Sequence, residues 1–280
     1  MDRINSGRMF VTDFDGTLYR SDRTFSGSDL EALEKLSERG VIRVIATGRS
    51  LYSFGLALTS PLPVDYIVFS TGAGIVTYPD KKMIRESNHT PDEVARAARI
   101  LAGFNLDFMV HHPVPENHIF SYWHTGSDNA DFLARVKLYE GVCTPIASIN
   151  HEFDRAAQLI AILPPGFSKI KLSEIRDSLS EYNTIRTTSP LDHRSTWLEI
   201  FPNHVSKGQS TAWLAKSLGI SRDNVVSVGN DYNDLDLIEW SGTGLVVENA
   251  PAELRKRFKT VSSNDSCGVA EAANILLSSV

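Results

Sequence analysis

Cysteine is scarce in this chain, two in 280 residues, and Cys143 and Cys267 offer no disulfide framework. Long apolar runs are missing as well. None approaches the ~20 residues that a bilayer-spanning helix requires, and the opening Met1-Asp2-Arg3-Ile4-Asn5 has no apolar signal core. A cytoplasmic location is therefore the expectation. Basic excess is absent too: 34 acidic residues face 28 basic ones, a net charge of −6. Such a surface has no electrostatic footprint for nucleic acid or an anionic membrane, so an anionic substrate must be held locally. There is no internal repeat or low-complexity stretch. A length of 280 residues exceeds one comfortable core and fits two domains.

What is present begins with Met9-Phe10-Val11-Thr12-Asp13-Phe14-Asp15-Gly16-Thr17-Leu18. An apolar strand delivers two carboxylates into a glycine turn. A carboxylate can attack phosphorus where a divalent cation neutralises the repulsion between two anions, which makes Asp13 the candidate nucleophile. Gly16 lets the chain turn so that Asp15 swings toward a leaving-group oxygen, and Asp15 is the candidate acid and base. A bare Asp-x-Asp would equally suit an ordinary acidic turn, so the assignment rests on three further segments.

The first is a β-branched strand, Val41-Ile42-Arg43-Val44-Ile45-Ala46, ending in Thr47-Gly48-Arg49. A hydroxyl and bare amides there suit phosphate oxygens. In Val205-Ser206-Lys207-Gly208-Gln209, a lysine opens a helix bearing Ala212, Trp213, Leu214 and Leu218. The helix dipole disfavours a cation at that end, which points to an anionic partner. The third is Val225-Val226-Ser227-Val228-Gly229-Asn230-Asp231-Tyr232-Asn233-Asp234-Leu235-Asp236, a strand ending in hard oxygen donors of the kind Mg2+ takes.

In this order the motifs resemble the haloacid dehalogenase superfamily of phosphohydrolases over nearly the whole chain. Leu198-Glu199-Ile200-Phe201-Pro202, Asn249-Ala250, and Val261-Ser262-Ser263-Asn264 with Cys267-Gly268-Val269-Ala270 look like its Cof-type branch, which includes many sugar phosphate phosphatases. The resemblance implies Asp13 as the phosphorylated nucleophile and Asp15 as acid/base, with Mg2+ as cofactor. Asp13, Asp15 through its carbonyl, Asn230 and Asp234 form the implied metal set. Thr47, Gly48, Lys207 and Asn233 would hold phosphate, and Asp234 would orient Lys207 or a metal-bound water. Where the family has Gly-Asp, this chain has Gly229-Asn230, so either Asn230 ligates through its amide oxygen or Asp231 takes over. The motif register favours Asn230. Arg49 either touches substrate or forms a helix-entry ion pair. Asn249 either lies near the site or caps the helix at Pro251.

Alternating signals predict an α/β fold with a parallel, Rossmann-like sheet covered on both faces. Ser28-Asp29-Leu30-Glu31 reads as a capping box opening a helix that stops at Gly40. Strands follow near 66–70, 225–228 and 244–247. The motifs then fall at the carboxyl ends of strands, where such folds bind ligands. Residues 1–86 and 203–280 are the expected catalytic core. Between them, 87–202 reads as an inserted α+β cap. A capping box at Thr90 and Glu93, with Pro91 at the first helical position, starts its first helix. Strands near 106–110, 118–123, 157–163, 184–188 and 197–201 alternate with helices near 131–139 and 168–179. In the Cof-type branch, an insertion here lies over the active site and selects the substrate. The cap's His111, His112, His118, Tyr122, Trp123 and His124 match no zinc spacing and read as packing or solvent-facing residues.

The expected activity is Mg2+-dependent hydrolysis of a small phosphorylated metabolite through an aspartyl phosphate, by a monomer or homodimer. Sugar phosphates stand ahead of nucleotides and pyridoxal phosphate. A sugar phosphomutase would use the same intermediate but return the phosphoryl group. A non-catalytic phospho-ligand-binding module is the alternative of another class.

Overall fold

The computed structural model describes residues 6–278. The opening stretch 1–5, read above for its lack of a signal core, lies outside them. The chain divides into two compact units. One comprises Met1–Arg49, Phe54–Glu86 and Ser206–Val280. The other comprises Ser50–Ser53 and Ser87–Val205.

The first unit runs β1 (Met9–Asp13), α1 (Gly27–Glu38), β2 (Ile42–Ala46), the end of α2 (Leu51–Leu56), whose first residues belong to the second unit, β3 (Tyr66–Phe69), β4 (Gly74–Thr77) and β5 (Met83–Glu86). The second unit contains α3 (Pro91–Gly103), β6 (Phe108–His111), β7 (Phe120–Trp123), α4 (Ala130–Leu138), β8 (Cys143–Pro145), β9 (Gln158–Leu163), α5 (Lys169–Ser178), β10 (Tyr182–Thr188) and β11 (Thr196–Pro202). The chain then returns to the first unit as α6 (Lys207–Ser217), β12 (Val225–Gly229), α7 (Leu235–Trp240), β13 (Thr243–Val247), α8 (Ala252–Arg257), β14 (Lys259–Val261) and α9 (Gly268–Ser278). No described helix is long and apolar enough to cross a membrane.

In the first unit, eight strands form one sheet in the order β14-β13-β12-β1-β2-β3-β4-β5. From β14 to β3 the pairing is parallel. Met9 and Val11 alternate toward α6 and α7, packing with Val44, Val68, Leu214 and Leu237, while α1 and α9 pack together and against β1, β2 and β12. Burial on both faces explains why these strands read as continuous apolar runs. Each buried Val or Leu stabilises by roughly 1.5–3 kcal/mol. Strand order reverses at β1, with β2 on one side and β12 on the other. Such a switch point opens a crevice at the carboxyl ends of the strands.

Two local expectations change. The cap of α1 is Ser26, whose hydroxyl accepts from Asp29 N, rather than Ser28. Asp29 is buried and turned away, its carboxylate accepting from Ala270 N of α9 at 2.7 Å. The sheet is also not wholly parallel, because β4 and β5 add antiparallel to β3.

The second unit's sheet has the order β10-β11-β9-β6-β7-β8, antiparallel except where β7 meets β8. One face buries Phe108, Val110, Leu159, Ala161, Leu198 and Ile200 with α3 and α5. The other buries Met109, Phe120, Ile160, Ile162 and Trp197 with Phe132 of α4. Both halves of the Thr90–Glu93 capping box form.

Candidate active site

Parallel register places Asp13 at the tip of β1 opposite Ala46 of β2, and Thr12 beside Val228 of β12. Asp13, Thr47 and Gly229 therefore emerge side by side from three adjacent strands. Lys207 approaches from the first position of α6, whose cap is Ser206, with Gly208 N donating to Asp236 Oδ2 at 2.9 Å. The anionic side chain at this end offsets what the helix dipole would otherwise cost a lysine there.

Lys207 is fully buried, yet its Nζ donates to Asp13 Oδ1 at 2.7 Å and Asp234 Oδ1 at 2.6 Å. Burial works against the ammonium, but the two carboxylates outweigh it and hold Lys207 charged, with its pKa raised. Two carboxylates share one cation, and the imbalance falls on Asp13. Burial first, then repulsion from Asp234, push its carboxyl above the usual range, against the pull of Lys207. The second Asp13 oxygen accepts from Thr17 Oγ1 at 2.8 Å.

Asp234 is committed on both sides. Its Oδ2 accepts from Asn230 N at 2.9 Å and Asp231 N at 3.1 Å, while Oδ1 holds Lys207. Both Asp234 oxygens thus tie the lysine to the β12 loop. A Cβ on Gly229 would come within 2.5 Å of Asp234 Cγ, so the close approach of loop and carboxylate requires glycine.

Asp231 caps the turn at Tyr232–Asp234, accepting from Tyr232 N at 2.8 Å. Asn230 instead lies over the β1 loop, its Nδ2 within 2.5 Å of where a Gly16 Cβ would stand. Gly16 also has φ +71°, the left-handed region that suits glycine. Asn249 does not cap α8. It joins two loops, donating to Gly16 O at 2.8 Å and accepting from Asn264 N at 3.0 Å.

Thr47 is buried, and its Oγ1 accepts from Arg49 N at 3.1 Å. Gly48 is exposed beside it, and the Asn233 amide would lie 3.6 Å from a Gly48 Cβ. The structure thus brings Asp13, Thr47, Gly48, Lys207, Asn233 and Asp234 to one end of one sheet. Arg49 forms a two-pronged ion pair with Asp15, Nε to Oδ2 at 2.7 Å and Nη2 to Oδ1 at 2.6 Å.

The sequence reading gave no role to Thr17 or Asp236. Thr17 lay in the Asp-x-Asp-Gly-Thr run itself, and Asp236 in the acidic cluster. The cap histidines are dispersed: His111 is buried with Nδ1 at 2.7 Å from Asn117 O, His124 pairs with Asp107, and His118 stacks on Tyr52.

Residues 10–272 match the family model of the haloacid dehalogenase-like hydrolases, and the chain belongs to that family of enzymes. It is 25% identical over 290 residues to the 5-amino-6-(5-phospho-D-ribitylamino)uracil phosphatase YwtE of Bacillus subtilis (strain 168), covering 97% of this chain and 98% of that protein. A putative phosphatase of the same organism, YxeH, is 25% identical over 282 residues, covering 96% and 98%. Among solved structures, the haloalkanoate-superfamily phosphatase BT1666 of Bacteroides thetaiotaomicron shares the fold with a TM-score of 0.75 and 18% identity, covering 99% of this chain and 98% of that one. The subclass IIB sugar phosphatase BT4131 does so with a TM-score of 0.71 and 16% identity, covering 96% and 98%.

Proposed function

We propose that this enzyme is a Mg2+-dependent phosphatase of small phosphorylated metabolites, with sugar phosphates the leading class. The observation that carries the reading is the buried Asp13–Lys207–Asp234 array at the switch point of a parallel sheet. It presents a carboxylate with its own cation beside a hydroxyl and amides suited to phosphate. The phosphatase names of relatives that match this chain end to end support the same chemistry.

The donor chemistry fits Mg2+. Among the described residues no group of three or more His, Cys, Asp or Glu is disposed to hold a metal. Mg2+, however, takes only one or two protein carboxylates and fills its remaining positions with water and phosphate. Asp13, the Asp15 carbonyl and the Asn230 amide oxygen would hold it, with Asp234 as a further ligand or the anchor of a metal-bound water and Asp231 engaged in its turn. When bound, the ion would neutralise charge on the transferring phosphoryl group.

Asp13 attacks phosphorus in line, forming an aspartyl phosphate as the bond to the leaving oxygen breaks, and Asp15 gives that oxygen a proton. Asp15 then takes a proton from water as the water attacks the phosphoryl group. Departure of phosphate, which takes the Asp15 proton with it, restores both carboxylates. Lys207, Thr47, Asn233 and the Gly48 amide stabilise the equatorial oxygens. Substrate choice is assigned to the second unit, Ser87–Val205.

The test is phosphate release from sugar phosphates, nucleotides and pyridoxal phosphate, with Mg2+ and with chelator. Release that requires Mg2+ is the expected result. Consumption of a sugar phosphate without phosphate release would favour the mutase, and silence across the panel would remove the hydrolytic reading.

A further inference from the structure

The acid/base carboxylate of the proposed mechanism is already held. Asp15 Oδ2 accepts from Arg49 Nε at 2.7 Å and Oδ1 from Arg49 Nη2 at 2.6 Å, so the guanidinium fork covers both oxygens. The fork is itself fixed. Its Cζ lies 5.2 Å from the Phe14 ring centroid and 5.5 Å from that of Tyr19, and those rings stack at 5.0 Å with an interplanar angle of 11°. Arginine stacks on aromatic faces through its plane and keeps its donors in a rigid fork. Backbone bonds fix the base of the side chain, Arg49 N donating to Thr47 Oγ1 and Arg49 O accepting from Ser70 N at 2.8 Å. A solvated surface pair would need none of this support, and Asp15 is half-exposed.

The arrangement has a consequence for the reaction. To protonate a leaving oxygen, Asp15 must hydrogen-bond an atom attached to phosphorus, so a fork on Asp15 lies one carboxylate away from the substrate. A phosphate group offers that fork the same two-pronged geometry with more negative charge. Arg49 follows two residues after Thr47, a proposed phosphate holder.

We propose that Arg49 is a positioning latch. Before substrate arrives it fixes the Asp15 carboxylate in one orientation through both oxygens, and the incoming phosphoryl group draws one arm of the fork away, freeing one Asp15 oxygen to take the proton of the phosphate monoanion and pass it to the leaving oxygen. Arg49 acts through Asp15 and touches phosphate only after the exchange. The inference rests on the phosphatase reading for its kinetic consequence and on the ion-pair geometry for its binding consequence, and the two are tested apart.

The kinetic test uses two esters. Glycerol phosphate needs its leaving oxygen protonated, whereas p-nitrophenyl phosphate releases a phenolate that departs unprotonated. Arg49→Met keeps the apolar stem on Phe14 and Tyr19 but removes the fork, and Arg49→Lys keeps the charge as a single point. In Arg49→Met, kcat for glycerol phosphate should fall about tenfold or more and much further than kcat for p-nitrophenyl phosphate, with Arg49→Lys restoring little. In an Asp15→Asn background the Arg49→Met change should cost nothing further, the non-additivity expected of residues acting as a unit. Equal loss of kcat on both esters, a rise in KM alone, or full additivity would overturn the latch.

The binding test needs no turnover. Titration with inorganic phosphate should show tighter binding to Asp15→Asn than to wild type, because the fork is released, and Asp15→Asn with Arg49→Met should lose that gain. If the gain survives in the double variant, removal of the Asp15 charge explains it and the latch is wrong. Should wild type hydrolyse neither these esters nor any member of the substrate panel, the phosphatase reading falls, while the phosphate titration still decides the latch.

Discussion

At the scale of single residues, the site is governed by how few cations serve its carboxylates. Lys207 is enclosed between Asp13 and Asp234, and removing one partner of a buried ionic array leaves uncompensated charge behind. Lys207→Met, similar in volume but neutral, should destabilise the fold by about 3–5 kcal/mol. Asp13→Asn should cost less, because Lys207 keeps Asp234. Urea unfolding of the two variants checks the order, and the reverse order would mean that Lys207 contributes packing rather than charge. Asp13, Thr47 and Lys207 were legible in the sequence because each stands at a strand tip or helix start, in a local pattern whose chemistry is recognisable. The Arg49 fork on Asp15 was not, since the partners are 34 residues apart and either could have faced solvent. Nor could sequence settle Asn230 against Asp231, which depends on the turn that Asp231 caps.

At the scale of elements, caps decide where helices begin, and two serines compete for the start of α1. Ser26 is buried and accepts from Asp29 N, whereas Ser28 is exposed within the helix. Ser26→Ala should therefore cost about 0.5–2 kcal/mol, and Ser28→Ala should stay within about 0.5 kcal/mol. Comparison of the two thermal midpoints tests the assignment, and equal effects would contradict it. The capping box expected at Ser28 failed because Asp29 is drawn to the start of α9, a long-range contact that a local pattern does not carry. Long helices and buried strands such as α3, β9 and β12 were visible through periodicity and apolar runs. The sequence reading passed over β4, β5 and β8, which are only three or four residues long. β4 follows left-handed Ser70 and Thr71, and β8 is largely exposed.

At the scale of the whole molecule, the two units have different electrostatic characters: the first concentrates buried ions at one sheet end, and the second buries histidines. Burial, reinforced by the charge of Arg135 and by His112, holds His111 down to about 3 from its ordinary 6.5. His89 is also lowered, chiefly by burial. An unfolded chain takes up protons at these imidazoles that the folded chain refuses, so the histidines' contribution to stability rises with pH between about 3 and 6.5 and levels off above it, while Asp13, whose raised carboxyl keeps its proton in the folded chain, contributes a slope of the opposite sign. His111 alone should contribute a slope of about 1.4 kcal/mol per pH unit in that window. Denaturant unfolding followed by tryptophan fluorescence, to which Trp123 and Trp197 of the second unit contribute beside Trp213 and Trp240 of the first, measures it. His111→Gln should flatten the dependence, and an unchanged slope would place the titration elsewhere.

The central claim is that Asp13 carries the phosphoryl group, and the direct measurement is acid-quenched turnover followed by mass spectrometry of the peptide containing Asp13. The account expects a phosphoryl adduct on Asp13 that forms with substrate and Mg2+, decays as phosphate appears, and is absent from Asp13→Asn, whose turnover falls at least ~10³-fold. Phosphate release at the wild-type rate by Asp13→Asn, or turnover with no adduct at Asp13 under any quench, would contradict it.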